Sequence, residues 1–201
     1  MDWEEATKHL EKKLDPAFVK SRKQGGSQVS YIEGWKAIAE ANRIFGFGSW
    51  DRETVELRQI GEAREVDGKM RVDYLARVRI TVWGGADGRT VRDGCGFGQG
   101  IDRDVGQAHE SALKEAETDA MKRALMTFGN PFGLALYDKS RENVGVDLPD
   151  PSAVKAQLLA CPTLPDLQAA WMALPDETKR QRIVVQAKDQ RKEELTQKEA
   201  A

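Results

Sequence analysis

Lys122 and Arg123 stand side by side in the segment TDAMKRALMTFGNPFG, residues 118–133. Lys20, Arg22 and Lys23 precede a glycine pair, Gly25 and Gly26, and Tyr31 follows it. Arg71, Arg77 and Arg79 fall at odd positions of one alternating segment, and Arg103 lies between Asp102 and Asp104. Cations in such clusters can neutralise successive phosphates while an aromatic ring adds a stacking or hydroxyl contact, which is how single-stranded nucleic acid is held without its sequence being read. Taken alone, the residues allow plainer readings as well. Cations in the last turns of a helix complement its dipole, Asp119 stands four residues before Arg123 at ion-pair spacing, and strand arginines can simply face solvent.

An enzyme would need a constellation that this chain does not show. No glycine-rich loop leads into Lys-Ser or Lys-Thr, which argues against a phosphate-loop NTPase. GCGFGQG at 94–100 has a dinucleotide-loop flavour, but it follows an antiparallel segment and its third glycine is misplaced. Asp102 and Asp104 could hold a hard cation, leaving a metal-dependent nuclease as a rival reading, or could start a helix. Cys95, Cys161, His9 and His109 have no metal-ligand spacing, and two cysteines make no disulfide framework. No catalytic residue, metal or cofactor is expected.

The elements that must position these side chains can be read from periodicity. Trp3, Ala6, Leu10 and Leu14 recur at helical spacing, and Pro16 ends that helix. After a loop at Gly25, Gly26 and Ser27, a second helix is expected over Tyr31 to Phe45, burying Trp35, Ile38, Ala39, Ala41 and Ile44. Thr54 to Ile60 alternates about Val55 and Leu57, Asp67 and Gly68 form a tight-turn pair, and Lys69 to Trp83 is the cleanest period-two run in the chain. Its even positions, from Met70 to Val82, are apolar, and its odd positions carry the three arginines. GGADG at 84–88 turns the chain into a third strand near Arg89 to Gly96, which completes an antiparallel meander. A long helix follows, about Val105 to Phe128. Its Ala112, Ala116, Ala120 and Ala124 form a stripe that lets a helix lie very close to a sheet. Gly129 stands where a left-handed cap belongs, and Pro131 bars continuation.

The chain has 201 residues, 40% apolar and 32% charged, with a net charge of −2. That is enough for a core, and any polyanion site must come from local placement rather than bulk basicity. The start, MDWEEATKHLEKKL, is acidic and amphipathic rather than a signal peptide, and no run approaches a membrane span. A soluble protein of a reducing compartment is expected. Past Asp138, KSRENVGVDLPDPSA has linker composition, and the remainder promises two or three short helices and a charged, frayed end. Leu164, Leu167, Ala170, Trp171 and Leu174 should line one face of that tail. The fold class expected is α+β, a three-stranded antiparallel meander packed on a long helix. Its expected bounds are a domain over residues 1–140, a linker over 141–152 and a helical tail over 153–201.

The blocks SRKQGGSQVSYIEGWKAIAEANRIFGFGSW (21–50) and GFGQGIDRDVGQAHESALKEAETDAMKRALMTFGNPFGLALYDK (96–139) resemble the two signature blocks of the Rad52/Rad22 family of recombination annealing proteins. The order helix, meander, long helix is similar too, and the resemblance covers residues 17–139, about 60% of the chain. It implies a homo-oligomeric ring that holds single-stranded DNA in an outer basic groove and pairs it with a complementary strand without ATP. It puts groove roles on Arg22, Tyr31, Lys122 and Arg123, with Lys20 and Lys23 beside them, and sets Arg103 near a lysine of a second, outer DNA site. Two positions depart from the eukaryotic pattern: Met126 stands where a groove arginine is expected, and Ala86 where an outer-site lysine is expected. Fewer phosphate contacts imply weaker binding with a shallower salt dependence.

Eukaryotic members continue into a long second half that recruits the recombinase and the single-strand-binding protein. The short helical tail here implies instead a bacterial or bacteriophage type, cytoplasmic and nucleoid-associated. Exposed Trp171 and Leu174 on that tail would dock a single-strand-binding protein, recombinase or exonuclease. The rival from another class is a single-strand-binding or mediator protein without annealing activity.

Overall fold

A computed structural model of the chain describes residues 2–84 and 88–200. The chain divides into two units, Met1–Val146 and Asp147–Ala201. The first unit runs α1 (Trp3–Leu10), β1 (Lys20–Gln24), β2 (Ser27–Tyr31), α2 (Gly34–Phe45), β3 (Trp50–Gln59), β4 (Arg64–Val66), β5 (Lys69–Trp83), β6 (Arg89–Asp102) and α3 (Val105–Met126). The fold is α+β, as its sequence pattern required. Its main sheet has four antiparallel strands rather than three, because β4 pairs with the first residues of β5 across Asp67 and Gly68. Both turn residues take left-handed backbone, φ 56° and 70°, as a two-residue hairpin demands.

The alternation of β5 decides which way the sheet faces. Val72, Ala76, Val78, Ile80 and Val82 are fully buried beneath α3, so the odd arginines lie on the other face. The third strand is longer than its pattern promised, since it does not end near Gly96 but runs on through FGQG to Asp102. Gly94, Gly96, Gly98 and Gly100 pair in register with Val78, Ala76, Tyr74 and Val72, all on the helix side. A Cβ at any of these four glycines would overlap the α3 backbone at Ala124, Ala120, Ala116, Ala112 or Ala108. A glycine stripe thus faces an alanine stripe, and the helix seats on bare backbone.

Several expectations give way to tertiary packing. The first helix stops at Leu10, and Leu14 instead bridges to Val144, with backbone hydrogen bonds from Leu14 to Asn143 (2.8 Å) and from Gly145 to Leu14 (2.9 Å). The helix expected from Tyr31 starts at Gly34, with its buried stripe phased on Ala37, Ala41 and Ile44. Trp35 is therefore 63% exposed, its indole N–H donating to Glu33 (3.1 Å), and Ala39 is exposed as well. Gly129 is not a left-handed cap, for its φ of 161° is extended backbone. Its need for glycine is steric, because a Cβ there would strike the backbone carbonyl of Leu10. Ala86 lies outside the described residues.

The second unit comprises α4 (Pro151–Leu159), α5 (Leu164–Ala173), α6 (Asp176–Lys179) and α7 (Arg182–Ala200). Val154, Leu158, Cys161, Leu167, Val184, Ala187 and Leu195 form its core. Trp171 and Leu174 are half-buried against that core rather than exposed, and Lys188 lies 4.9 Å over the Trp171 ring. The last helix is not a free charged end, since Val184, Ala187 and Leu195 anchor one side of it.

Candidate nucleic-acid interface

The cations before the glycine pair lie on a strand. KSRKQ and SQVSY form an antiparallel hairpin closed by Gly25 (φ 56°) and Gly26 (φ 84°), in the register Lys20 to Tyr31 and Arg22 to Val29. Two five-residue stretches on either side of Gly-Gly carry a hairpin signal that a loop reading passes over. Alternation then sorts the side chains, with Lys20, Arg22 and Tyr31 sharing one face and Lys23 pointing from the other with Ser21, Gln28 and Ser30.

That first face meets the end of α3. The Arg22 guanidinium lies 5.6 Å from the centre of the Tyr31 ring, and the Lys122 ammonium lies 5.7 Å from the same centre. Tyr31 therefore joins cations from two elements, Arg22 and Lys122, that lie far apart in sequence, at a range where the ring quadrupole attracts both. The backbone is drawn close here because Gly34 packs on Thr118 and Met121 of α3, where a Cβ would lie 2.8 Å from the Thr118 Cγ2.

Lys122 is half-buried, and burial pushes its pKa below the ordinary 10.5. Asp119 and Glu115 oppose that shift, whereas Arg22 and Arg123 reinforce it. Arg123 donates to Asp119 (3.1 Å), the pair its spacing allowed, and this contact raises its pKa. Both partners are partly exposed, and an ion pair of that kind is worth little and yields readily to a competing anion. The dipole-and-pairing reading of Arg123 is thus present in the geometry, while Lys122 faces Tyr31 and Arg22 instead.

The remaining predicted cations lie elsewhere. Arg103 precedes the far end of α3, about 25 Å from Lys122 at 1.5 Å per residue. Asp102 accepts the Asp104 N–H (3.0 Å) and Asp104 caps the Gln107 N–H (2.9 Å), so both carboxylates are engaged in starting the helix. On the sheet face away from α3, Arg79 forms a two-pronged pair with Asp93 (2.8 and 3.0 Å), and Arg77 lies 4.0 Å from the same carboxylate. Arg92 is on the helix side, 5.8 Å over Phe128 just past the end of α3. Met126 lies one turn beyond Lys122 and is partly buried. No helix among the described residues is long and apolar enough to cross a membrane.

The architecture is an α+β domain whose cation–aromatic corner joins a hairpin to the end of its longest helix. Residues 2–153 match the family described as Rad52/22 family double-strand break repair protein, and the chain belongs to that family. It is 43% identical over 132 residues to the DNA repair and recombination protein RAD52 of Eremothecium gossypii, covering 65% of this chain and 29% of that protein. It is 42% identical over 132 residues to RAD52 of Saccharomyces cerevisiae, with 65% and 27% covered. Against the DNA repair and recombination protein rad22 of Schizosaccharomyces pombe it is 41% identical over 135 residues, with 65% and 28% covered. The chain thus matches less than a third of the length of each of these relatives. All three organisms are fungi, and they lend no support to a bacterial or bacteriophage type.

Proposed function

We propose that this chain binds single-stranded DNA and anneals complementary strands without ATP, in recombination and double-strand-break repair. The observation that carries the reading is the Tyr31 ring joined to Arg22 at 5.6 Å and to Lys122 at 5.7 Å, in a chain of a double-strand break repair family. Arg22, Lys122 and Arg123 would neutralise phosphates and Tyr31 would supply a ring or hydroxyl contact. Lys20 would add charge on the same hairpin face, and Lys23 on the other. Arg103, at the opposite end of α3, would serve a separate outer site. The work is physical rather than covalent: the strand is held with its base edges free until matched stacking, about 1.4 kcal/mol per step, locks the pair. A homo-oligomeric ring would repeat a modest per-subunit affinity along one strand. Such a protein would act where chromosomal DNA lies. Docking of a single-strand-binding protein, recombinase or exonuclease would use tail surface other than Trp171 and Leu174, which are packed on the tail core.

The test is the double variant Lys122→Ala/Arg123→Ala in a fluorescence assay with complementary oligonucleotides. Strand binding and annealing are lost while the helix content by circular dichroism is kept. If the wild-type protein pairs strands no faster than they pair alone, annealing is wrong, and binding without acceleration would leave the single-strand-binding or mediator role. Unfolding of the double variant would return both cations to a structural role.

A further inference from the structure

The chain leaves α3 and passes the same corner again at residues 137–141. Tyr137, 65% exposed, lies within electrostatic range of Arg123. Four residues on, Arg141 holds a left-handed backbone, φ 54°, which is costly for a residue with a Cβ and free for glycine. Backbone hydrogen bonds from Arg141 to Asp138 (3.2 Å) and from Val144 to Arg141 (3.0 Å) keep it there. Its guanidinium reaches the hairpin, with Nη2 donating to the Ser30 hydroxyl at 2.9 Å. Ser30 adjoins Tyr31 and shares its hairpin face with Lys23.

The partner of Arg141 is neutral. Arg123 and Arg79 are each matched by a carboxylate, whereas among the described residues Arg141 forms no ion pair. One of its five N–H donors is used, so a full charge and a fork suited to phosphate oxygens remain available on an exposed side chain. A strained backbone that positions an uncompensated cation is the kind of local cost that accompanies a binding role.

We propose that Arg141 is a further phosphate-binding residue of the strand site. It extends that site around the hairpin, from the face of Arg22 and Tyr31 to the face of Lys23. The ligand is a phosphodiester of single-stranded DNA, and the proposal rests on the reading of Arg22, Tyr31 and Lys122 as strand contacts.

The experiment measures binding of a fluorescent oligothymidylate to the full chain across a range of salt concentrations. Arg141→Gly removes the cation and suits the left-handed backbone, so the variant melts no lower than wild type. Its binding is weaker, and the slope of log affinity against log salt becomes shallower by about 0.7, the share of one single-strand phosphate. Arg141→Gln keeps a donor for Ser30 without the charge and gives the same shallower slope, and Arg141→Lys keeps the wild-type slope. A wild-type slope in both neutral variants overturns the proposal, even if their affinity falls, because a purely structural pin on Ser30 would leave the count of neutralised phosphates unchanged. If the wild-type chain shows no salt-dependent binding at all, the strand site itself is wrong and Arg141 falls with it.

Discussion

Lys122 is held at a cost to the free protein, since burial together with Arg22 and Arg123 lowers its pKa from 10.5. The unfolded chain therefore keeps this proton over a window in which the folded chain gives it up. Stability rises with pH across that window, and the penalty is fully present at neutral pH. Lys122→Met keeps the apolar stem and removes the charge. The variant is expected to melt above wild type at pH 7, with the gap closing as pH approaches about 10.5, the ordinary lysine value, while single-strand binding is lost. Melting curves at several pH values check this, and a variant less stable than wild type at pH 7 would show Lys122 to be a structural cation. Glu40 behaves in the opposite sense. Burial pushes its carboxyl up, but hydrogen bonds from Arg43 and Lys36 outweigh that and hold it below 4.5, so its contribution is present above that pH and lost on acidification. The adjacent pair Lys122 and Arg123 was plain in the sequence. Their different surroundings, Tyr31 for one and Asp119 for the other, were not, because a helix position does not say which hairpin will fold against it.

Among the elements, β6 and α3 show how far a pattern can be read. The alanine stripe announced a close approach, and the matching glycines at 94, 96, 98 and 100 supply the surface approached. Read as a string, the stretch past Gly96 does not announce a strand, since glycine disfavours strands when its neighbours are unknown. Only the facing helix makes four missing side chains a requirement. Gly98→Ala would drive its Cβ into the Ala112 carbonyl and is expected to cost about 3 kcal/mol or more by urea denaturation. Gly48→Ala, at a site with open space, should stay within about 0.5 kcal/mol of wild type. If the two substitutions cost the same, the glycine stripe is not what seats α3. At Gly129 the residue type was a sound signal and the reason inferred from it was wrong, for the demand comes from Leu10 across the fold rather than from a cap.

At the scale of the whole molecule, the two units have separate cores. The second, Asp147–Ala201, is smaller than the roughly 70 residues at which a single core becomes comfortable, so it should be the less stable of the two. A chain ending at Val146 is expected to keep its α+β fold and, on the proposed function, its affinity for a short single strand. Circular dichroism and oligonucleotide binding of that fragment test this, and loss of binding with the fold intact would place part of the strand site in the tail.

Periodicity and composition alone determined the α+β class, the central strand with its apolar even face, the long helix and its alanine stripe, and the side-by-side cations near its end. These follow from local rules, a two-residue or 3.6-residue repeat and the backbone limits of proline and glycine. The phase of α2, the reason for Gly129, the continuation of β6 past Gly96 and the meeting of Arg22, Tyr31 and Lys122 were decided only by tertiary structure. Each depends on a surface contributed by residues far away in the chain, and no local repeat encodes which distant surface will arrive.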